Sequence, residues 1–163
     1  MKLNRARGRT GLAVIAAFCI LIDQLTKWWA MEWLSDMPGG RIDLIENVLS
    51  FHFVRNTGAA FSFLSGHTLL ITVISFVIIM ALFVFAFFSK TLDFKVRICS
   101  GLLFAGGAGN LIDRLRYGAV VDFISLDMIR FPVFNVADIC VSVGAVLMLL
   151  FINFPGRRVN GKR

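Results

Sequence analysis

From Thr68 to Phe88 the chain runs through 21 residues without one charged side chain. The hydrocarbon core of a bilayer is about 30 Å thick, and a helix rising about 1.5 Å per residue crosses it in about 20 residues. The run therefore has the length and polarity of a membrane span. The rest of the chain offers no soluble core large enough to hide it. Hydrophobic residues are 58% of the 163 and charged residues only 17%. With the 14 glycines the apolar share reaches about two-thirds, against about 45–50% in an ordinary globular chain. A chain this small has too much surface for its volume to bury that much apolar area, so much of it faces lipid. The same numbers exclude disorder, and three scattered cysteines exclude a disulfide scaffold.

Three further stretches, 11–31, 96–112 and 133–154, read as spans beside 68–88. They make an all-α integral membrane protein, a four-helix bundle in a single membrane domain over 1–163, with outer loops 32–67 and 113–132. The net charge of +7 raises the question of nucleic acid, and its distribution answers it. The segments before span one and after span four, with Lys90, Lys95 and Arg97 in or beside the gap between spans two and three, hold eleven of the 17 basic residues and one acid, Asp93, a net +10. The loops 32–67 and 113–132 hold five basic residues and seven acids, a net −2. By the positive-inside rule both termini are cytoplasmic and the two loops face outward. The basic balance is thus topological, and no nucleic-acid partner is expected. Trp28, Trp29 and Trp33 suit an aromatic belt at the outer end of span one. Ala16-Ala17-Phe18-Cys19 hints at a cleavable leader, but Phe18 suits such a site poorly and the later spans need a first one for orientation, so span one reads as retained.

Ionisable residues within spans cost several kcal/mol in a bilayer and mark function by default. Asp23 and Lys27 are four apart, on one face of span one, in the order that favours an ion pair. Structural support is the plainer reading of that pair. In loop 32–67, Leu49, Phe51 and Phe53 alternate with Ser50, His52 and Val54 as in a strand, and Arg55-Asn56-Thr57-Gly58 reads as a turn. Asn56 serves either that turn or an extended backbone near it. Span three carries Gly101, Ala105 and Gly109 at four-residue spacing, a small-residue face for close helix contact. Asn110 and Asp113 follow on one face with Arg114 adjacent. Val120-Val121-Asp122-Phe123-Ile124 sets a carboxylate in a short apolar run. Pro132, suited to a first helical turn, opens span four, with Asn135 and Asp138 three apart on one face. Asp138 has no basic residue within a turn, so its partner lies elsewhere in the fold.

Two carboxylates, Asp122 in an apolar loop and Asp138 just inside a span, suit acid and base work on a shared water, because two close carboxyls cannot both ionise cheaply. Such pairs also serve proton or cation pathways, so a small proton- or cation-coupled transport protein using Asp23, Asp113, Asp122 and Asp138 is the rival reading. A relay predicts carboxylates stepping across the membrane, whereas these gather in its outer half. A non-catalytic assembly subunit requires no such pair at all. No Ser/His/Asp or Ser/Lys arrangement, HExxH, phosphate loop or paired cysteine ligands are present. His52 and His67 read as surface residues, and Cys19, Cys99 and Cys140 as small packing residues.

Together, Asp23-Gln24-Leu25-Thr26-Lys27, Arg55-Asn56-Thr57-Gly58-Ala59-Ala60-Phe61, the run from Gly106 to Arg114, Val120-Val121-Asp122-Phe123 and the run from Phe131 to Asp138 resemble, in order, the motifs of the bacterial lipoprotein signal peptidases, or signal peptidase II. These are integral-membrane aspartic proteases. The resemblance implies that Asp122 and Asp138 form a catalytic dyad that cuts just before the diacylglyceryl-modified cysteine of a prolipoprotein. It implies that Asn56, Asn110, Asp113, Arg114 and Asn135 line or brace the site, supported by Asp23 and Lys27 from span one. It further implies a small extracytoplasmic β-sheet cradle, no metal and no cofactor. The expected partners are lipidated prolipoproteins and membrane lipid. The expected setting is the bacterial inner membrane, with the chain acting as a monomer and its site on the extracytoplasmic side.

Overall fold

The computed structural model describes residues 2–58 and 68–153. Ala59, Ala60, Phe61, His67 and the C-terminal Arg157, Arg158, Lys162 and Arg163 lie outside them, as does the last position of the expected fourth span. The described chain forms helices α1 (Lys2–Trp29), α2 (Thr68–Phe88), α3 (Phe94–Tyr117) and α4 (Val136–Asn153), and strands β1 (Arg41–Ile45), β2 (Leu49–Asn56) and β3 (Val120–Leu126). Among the described residues, three helical stretches are long and apolar enough to cross a membrane: Ala6–Leu34, Leu69–Phe88 and Val136–Asn153. The protein is thus a helix-rich, multi-pass membrane chain carrying one small sheet.

In α1 the buried positions Leu12, Ala16, Asp23, Lys27, Ala30 and Leu34 make one stripe at helical spacing, while Val14, Phe18, Leu21, Leu25 and Trp28 stand exposed on the other side. The outward stripe is the more apolar of the two, the reverse of a soluble helix. α2 is exposed along most of its length, with Leu69, Val77, Ile78 and Phe85 among its outward residues. It packs on α3 through Phe83 and Phe104, whose rings lie 4.8 Å apart, and through Ile79, which fills the space above Gly107.

α3 is the central helix and touches the other three. It is also the helix that hydropathy does not single out, because its polar residues turn onto neighbours instead of lipid. Its glycines are where those neighbours approach: a Cβ at Gly101 would meet Ile15 of α1 at 2.6 Å, and one at Gly106 would strike the Ala137 carbonyl of α4. At its start, buried Arg97 donates to the carbonyls of Ala86, Phe87 and Ser89, while Arg9 Nε donates to Phe87 at 2.9 Å. The Ala86 and Phe87 carbonyls belong to the last turn of α2 and Ser89 directly follows it, where helical partners run out and cations are favoured. Two of the basic residues that mark this end therefore also cap a helix.

Several expected boundaries move. α1 begins at Lys2 instead of residue 11 and continues through a π-helical turn, Ala30–Leu34. α3 continues past residue 112 to Tyr117, so Asp113 and Arg114 are helical instead of loop residues, and Gly118 ends the helix at φ 67°. α4 starts at Val136, not near residue 133, so Pro132 is not in its first turn. The cause is the backbone of Phe134, which exchanges hydrogen bonds with Ile124 at 2.8 and 3.0 Å and holds the segment extended beside β3.

The sheet has the order β1-β2-β3 and is antiparallel throughout. β2 falls where side-chain alternation predicts a strand. β3, buried along most of its length, runs through what the sequence presents only as an apolar run with a carboxylate in it. Ala30, Leu34, Val121 and Phe123 form a buried cluster under the sheet. Trp29 departs from the expected belt: it turns inward, with its ring 5.3 Å from Phe51 and 6.3 Å from Phe123, whereas Trp28 and Trp33 stay exposed.

Candidate active site

The site lies where β3, the start of α4 and the C-terminal parts of α1 and α3 meet. β3 delivers Asp122, which is 3% exposed. Its Oδ2 accepts from Asn56 Nδ2 at 2.9 Å and its Oδ1 from Asn135 Nδ2 at 2.7 Å. A bulge decides which residue of β2 it meets. Phe51 pairs with Ile124, but Val54 pairs with Asp122 and Asn56 with Val120, so β2 carries one extra residue between the two stretches. In an unbroken register Arg55 would share the face of Asp122; the extra residue shifts the parity and brings Asn56 there instead. The side-chain Oδ1 of Asn56 accepts from Gly58 N at 2.9 Å. That turn contact leaves the amide of Asn56 to face the carboxylate, not an extended backbone.

Asp138 enters from the first turn of α4. Its Oδ1 accepts from Asn110 Nδ2 at 2.8 Å and its Oδ2 from the backbone N–H of Asn135 at 3.2 Å. Asn135, fully buried, returns the contact by accepting from Asp138 N at 3.0 Å. Its amide also donates to Asn110 Oδ1 at 3.0 Å and to Val121 O at 3.2 Å. Both oxygens of each carboxylate thus accept from asparagine N–H groups, and the partner that Asp138 lacks in sequence is an amide from α3, not a cation.

Asp23 and Lys27 form an ion pair of 3.0 Å, and Lys27 reaches Asp113 at 2.9 Å and Asn110 Oδ1 at 2.9 Å. Asp23, Lys27 and Asp113 are each 1% exposed. Gln24, which sequence presents only as a polar neighbour of Asp23, donates to Asp23 at 3.2 Å and to Asp113 at 3.1 Å. Gly109, expected as a packing residue, has a second use: a Cβ there would strike Asp23 Oδ2, so its absence admits the carboxylate between α1 and α3.

A cavity of about 510 Å³ opens over the two carboxylates, walled by Asn56, Asn110 and Arg114 on one side and by apolar residues such as Leu126, Val133 and Val143 on another. The volume is of the size that small-ligand and peptide sites have. Arg114 donates to Gly58 O at 3.3 Å, and its buried Nε has no hydrogen-bond partner among the described residues. Burial pushes the Asp122 carboxyl up to about 7, with the facing Asp138 adding to the rise and the Asn56 and Asn135 amides opposing it. Near neutral pH one member of the pair can therefore hold a proton while the other accepts one. Asp23, Lys27, Asn56, Asn110, Asp113, Arg114, Asn135, Asp122 and Asp138 all converge here. Cys19, Cys99 and Cys140 are free thiols in helices that pack together, and His52 lies on β2 away from the carboxylates.

The sequence model described as Signal peptidase (SPase) II matches residues 15–154. A lipoprotein signal peptidase of Clostridium acetobutylicum is 37% identical over 152 residues, covering 91% of this chain and 97% of its own length. Another, from Nostoc punctiforme, is 41% identical over 137 residues, covering 83% and 85%. A solved bacterial membrane enzyme superposes with a TM-score of 0.80 at 30% identity, covering 93% of each chain, and a second with 0.75 at 31%. Nothing among these supports the transport reading. With two acidic side chains lining one cavity of a multi-pass membrane chain and a match across most of its length, the chain belongs to the signal peptidase II family of aspartic proteases.

Proposed function

We propose that Asp122 and Asp138 are the catalytic pair with which this signal peptidase removes the signal peptide from a prolipoprotein, cutting just before its diacylglyceryl-modified cysteine. One observation carries the reading. Asn135 donates through its side chain to Asp122 and through its backbone to Asp138, so a single residue ties carboxylates from two elements to one cavity.

Asp122 holds the proton and Asp138 is the base. A water over the pair gives a proton to Asp138 as its oxygen bonds to the scissile carbonyl carbon, and Asp122 passes its proton to the carbonyl oxygen. The resulting gem-diol collapses with cleavage of the C–N bond. The cysteine nitrogen takes the proton from Asp138, and a gem-diol hydroxyl returns one to Asp122, restoring the pair. The unspent Nε–H of Arg114 supports a contact with a carbonyl of the extended substrate, whose backbone must be satisfied at membrane depth.

Four spans, including α3, with both termini in the cytoplasm place the cavity at the extracytoplasmic side of the inner membrane. The charge asymmetry and the exposed Trp28 and Trp33 at that end of α1 support this orientation. The acyl chains of the substrate then remain in lipid while the peptide bond meets water, and the chain works as a monomer. Mass spectrometry of products from purified protein tests the proposal. The expected cut lies immediately before the lipidated cysteine, and an unlipidated substrate is cut far less well. Cleavage elsewhere, or equal cutting of both substrates, overturns it.

A further inference from the structure

Every N–H of the Lys27 ammonium is spent: on Asp23 at 3.0 Å, on Asp113 at 2.9 Å and on Asn110 Oδ1 at 2.9 Å. Each of these three acceptors in turn holds the part of the chain that carries one of the paired carboxylates. Asp113 Oδ2 accepts from the backbone N–H of Val121 at 3.1 Å, and Val121 immediately precedes Asp122. Asp23 Oδ1 accepts from the backbone N–H of Ala137 at 2.9 Å, and Ala137 immediately precedes Asp138. Asn110 grips the Asp138 carboxylate directly at 2.8 Å. One buried side chain of α1 is therefore joined by three single links to both strands of the chemistry.

The third link also has a direction. An amide has one oxygen acceptor and one NH₂ donor, and rotation exchanges them. Asn110 Oδ1 accepts from both Lys27 and Asn135, which occupies its two lone pairs. The amide must then present NH₂ to Asp138 and cannot flip without setting its NH₂ against the ammonium.

From this arrangement, and resting on the dyad reading above, we infer that Lys27 is the positioning residue that sets the separation of Asp122 and Asp138 and the amide orientation of Asn110. It does so without touching substrate. Lys27 is 1% exposed and does not line the cavity, so in the folded protein its removal reaches the substrate only through the pair. A displacement of about 1 Å in a catalytic geometry can cost about 100-fold in rate.

Purified Lys27→Met, Asn110→Ala and the double variant, assayed on a lipidated prolipoprotein beside Asp138→Asn, test the inference. The expected result is a kcat lowered about 10- to 100-fold in Lys27→Met with KM unchanged. The double variant is expected to be slower than either single variant yet to lose less than the product of the two losses, because one of the three links from Lys27 runs through Asn110. A Lys27 that only stabilises the fold instead lowers Tm and yield and leaves kcat of the folded fraction at the wild-type value. That outcome, or losses that multiply in the double variant, overturns the inference. Should Lys27→Met not fold, Asp23→Asn/Lys27→Met keeps the net charge of the cluster and carries the same test. Wild-type kcat in Asn110→Ala overturns the amide link by itself. Full turnover by Asp138→Asn overturns the dyad reading beneath, whereas an inactive Asp138→Asn with unchanged kcat in Lys27→Met overturns the positioning alone.

Discussion

Asn135 and Asp138 cap one another at the start of α4: the side-chain oxygen of Asn135 accepts from Asp138 N at 3.0 Å, and Asp138 Oδ2 accepts from Asn135 N at 3.2 Å. This is a capping box made with Asn and Asp, and it satisfies two backbone donors that a helix start otherwise leaves open. The carboxylate proposed to act as base is thereby fixed by the geometry that begins its helix.

The cap and the link to Asp122 can be separated by substitution. Asn135→Ser keeps a cap acceptor but is too short to reach Asp122, whereas Asn135→Ala loses both. Differential scanning fluorimetry should find Asn135→Ser more stable than Asn135→Ala by about 1 kcal/mol. Both should turn over about 100-fold more slowly than wild type. Equal stability of the two variants would count against the cap.

Asp122 titrates near 7 in the folded chain, above its ordinary value of 3.8, because burial penalises its charge. Folding then favours the protonated form. Stability from this group is full below about pH 4, falls as pH rises towards 7 and is level above, with a ceiling of about 4 kcal/mol between the two ends. The stability difference between wild type and Asp122→Asn should follow that course, the variant gaining relative to wild type as pH is raised from 4 to 8. Activity should fall on the alkaline side with an apparent value near 7 that belongs to the coupled pair. A difference that does not change with pH contradicts the account.

The bulge in β2 yields a paired test. Asn56→Ala removes a donor to Asp122 and should lower kcat at least about 10-fold, the loss expected when a buried hydrogen bond is left unmade. Arg55, on the opposite face and exposed, donates to Tyr117 O, and Arg55→Ala should stay within about twofold of wild type. Equal losses in the two would mean that the parity shift does not set the contact.

Among the glycines of α3, the backbone contact is the severe one. Gly106→Ala drives a Cβ into the Ala137 carbonyl and must move α4, whereas Gly107→Ala meets only the ends of the Ile79 side chain. Gly106→Ala should cost about 3 kcal/mol or fail to fold, and Gly107→Ala about 1 kcal/mol, read from thermal unfolding in detergent.

Much of the site is legible in sequence because lipid makes each polar residue conspicuous. Asp23, Lys27, Asn110 and Asp138 stand in stretches where a solvated side chain has no place, and one hydrogen-bonded network that joins them is the physical answer to that cost. The alternation through Leu49, Phe51 and Phe53 marks β2, although in the fold both faces of the strand are partly covered and Ser50 is its one fully buried residue. β3 is not marked, because Val120, Val121, Asp122 and Phe123 are buried on both faces and lose the alternating pattern. The bulge, the extended Phe134 and the later start of α4 depend on pairing between segments distant in sequence. Gln24 and Gly109 escape notice as site residues because their roles are set by what α1 and α3 present to each other.

The most direct test of the dyad is turnover of purified Asp122→Asn and Asp138→Asn on a lipidated prolipoprotein, with folding checked by thermal unfolding in the same preparations. Each variant should fold, with processing lowered by at least about 10⁴-fold, as expected when one member of a catalytic unit is lost. Processing at the wild-type rate by either folded variant would contradict the assignment.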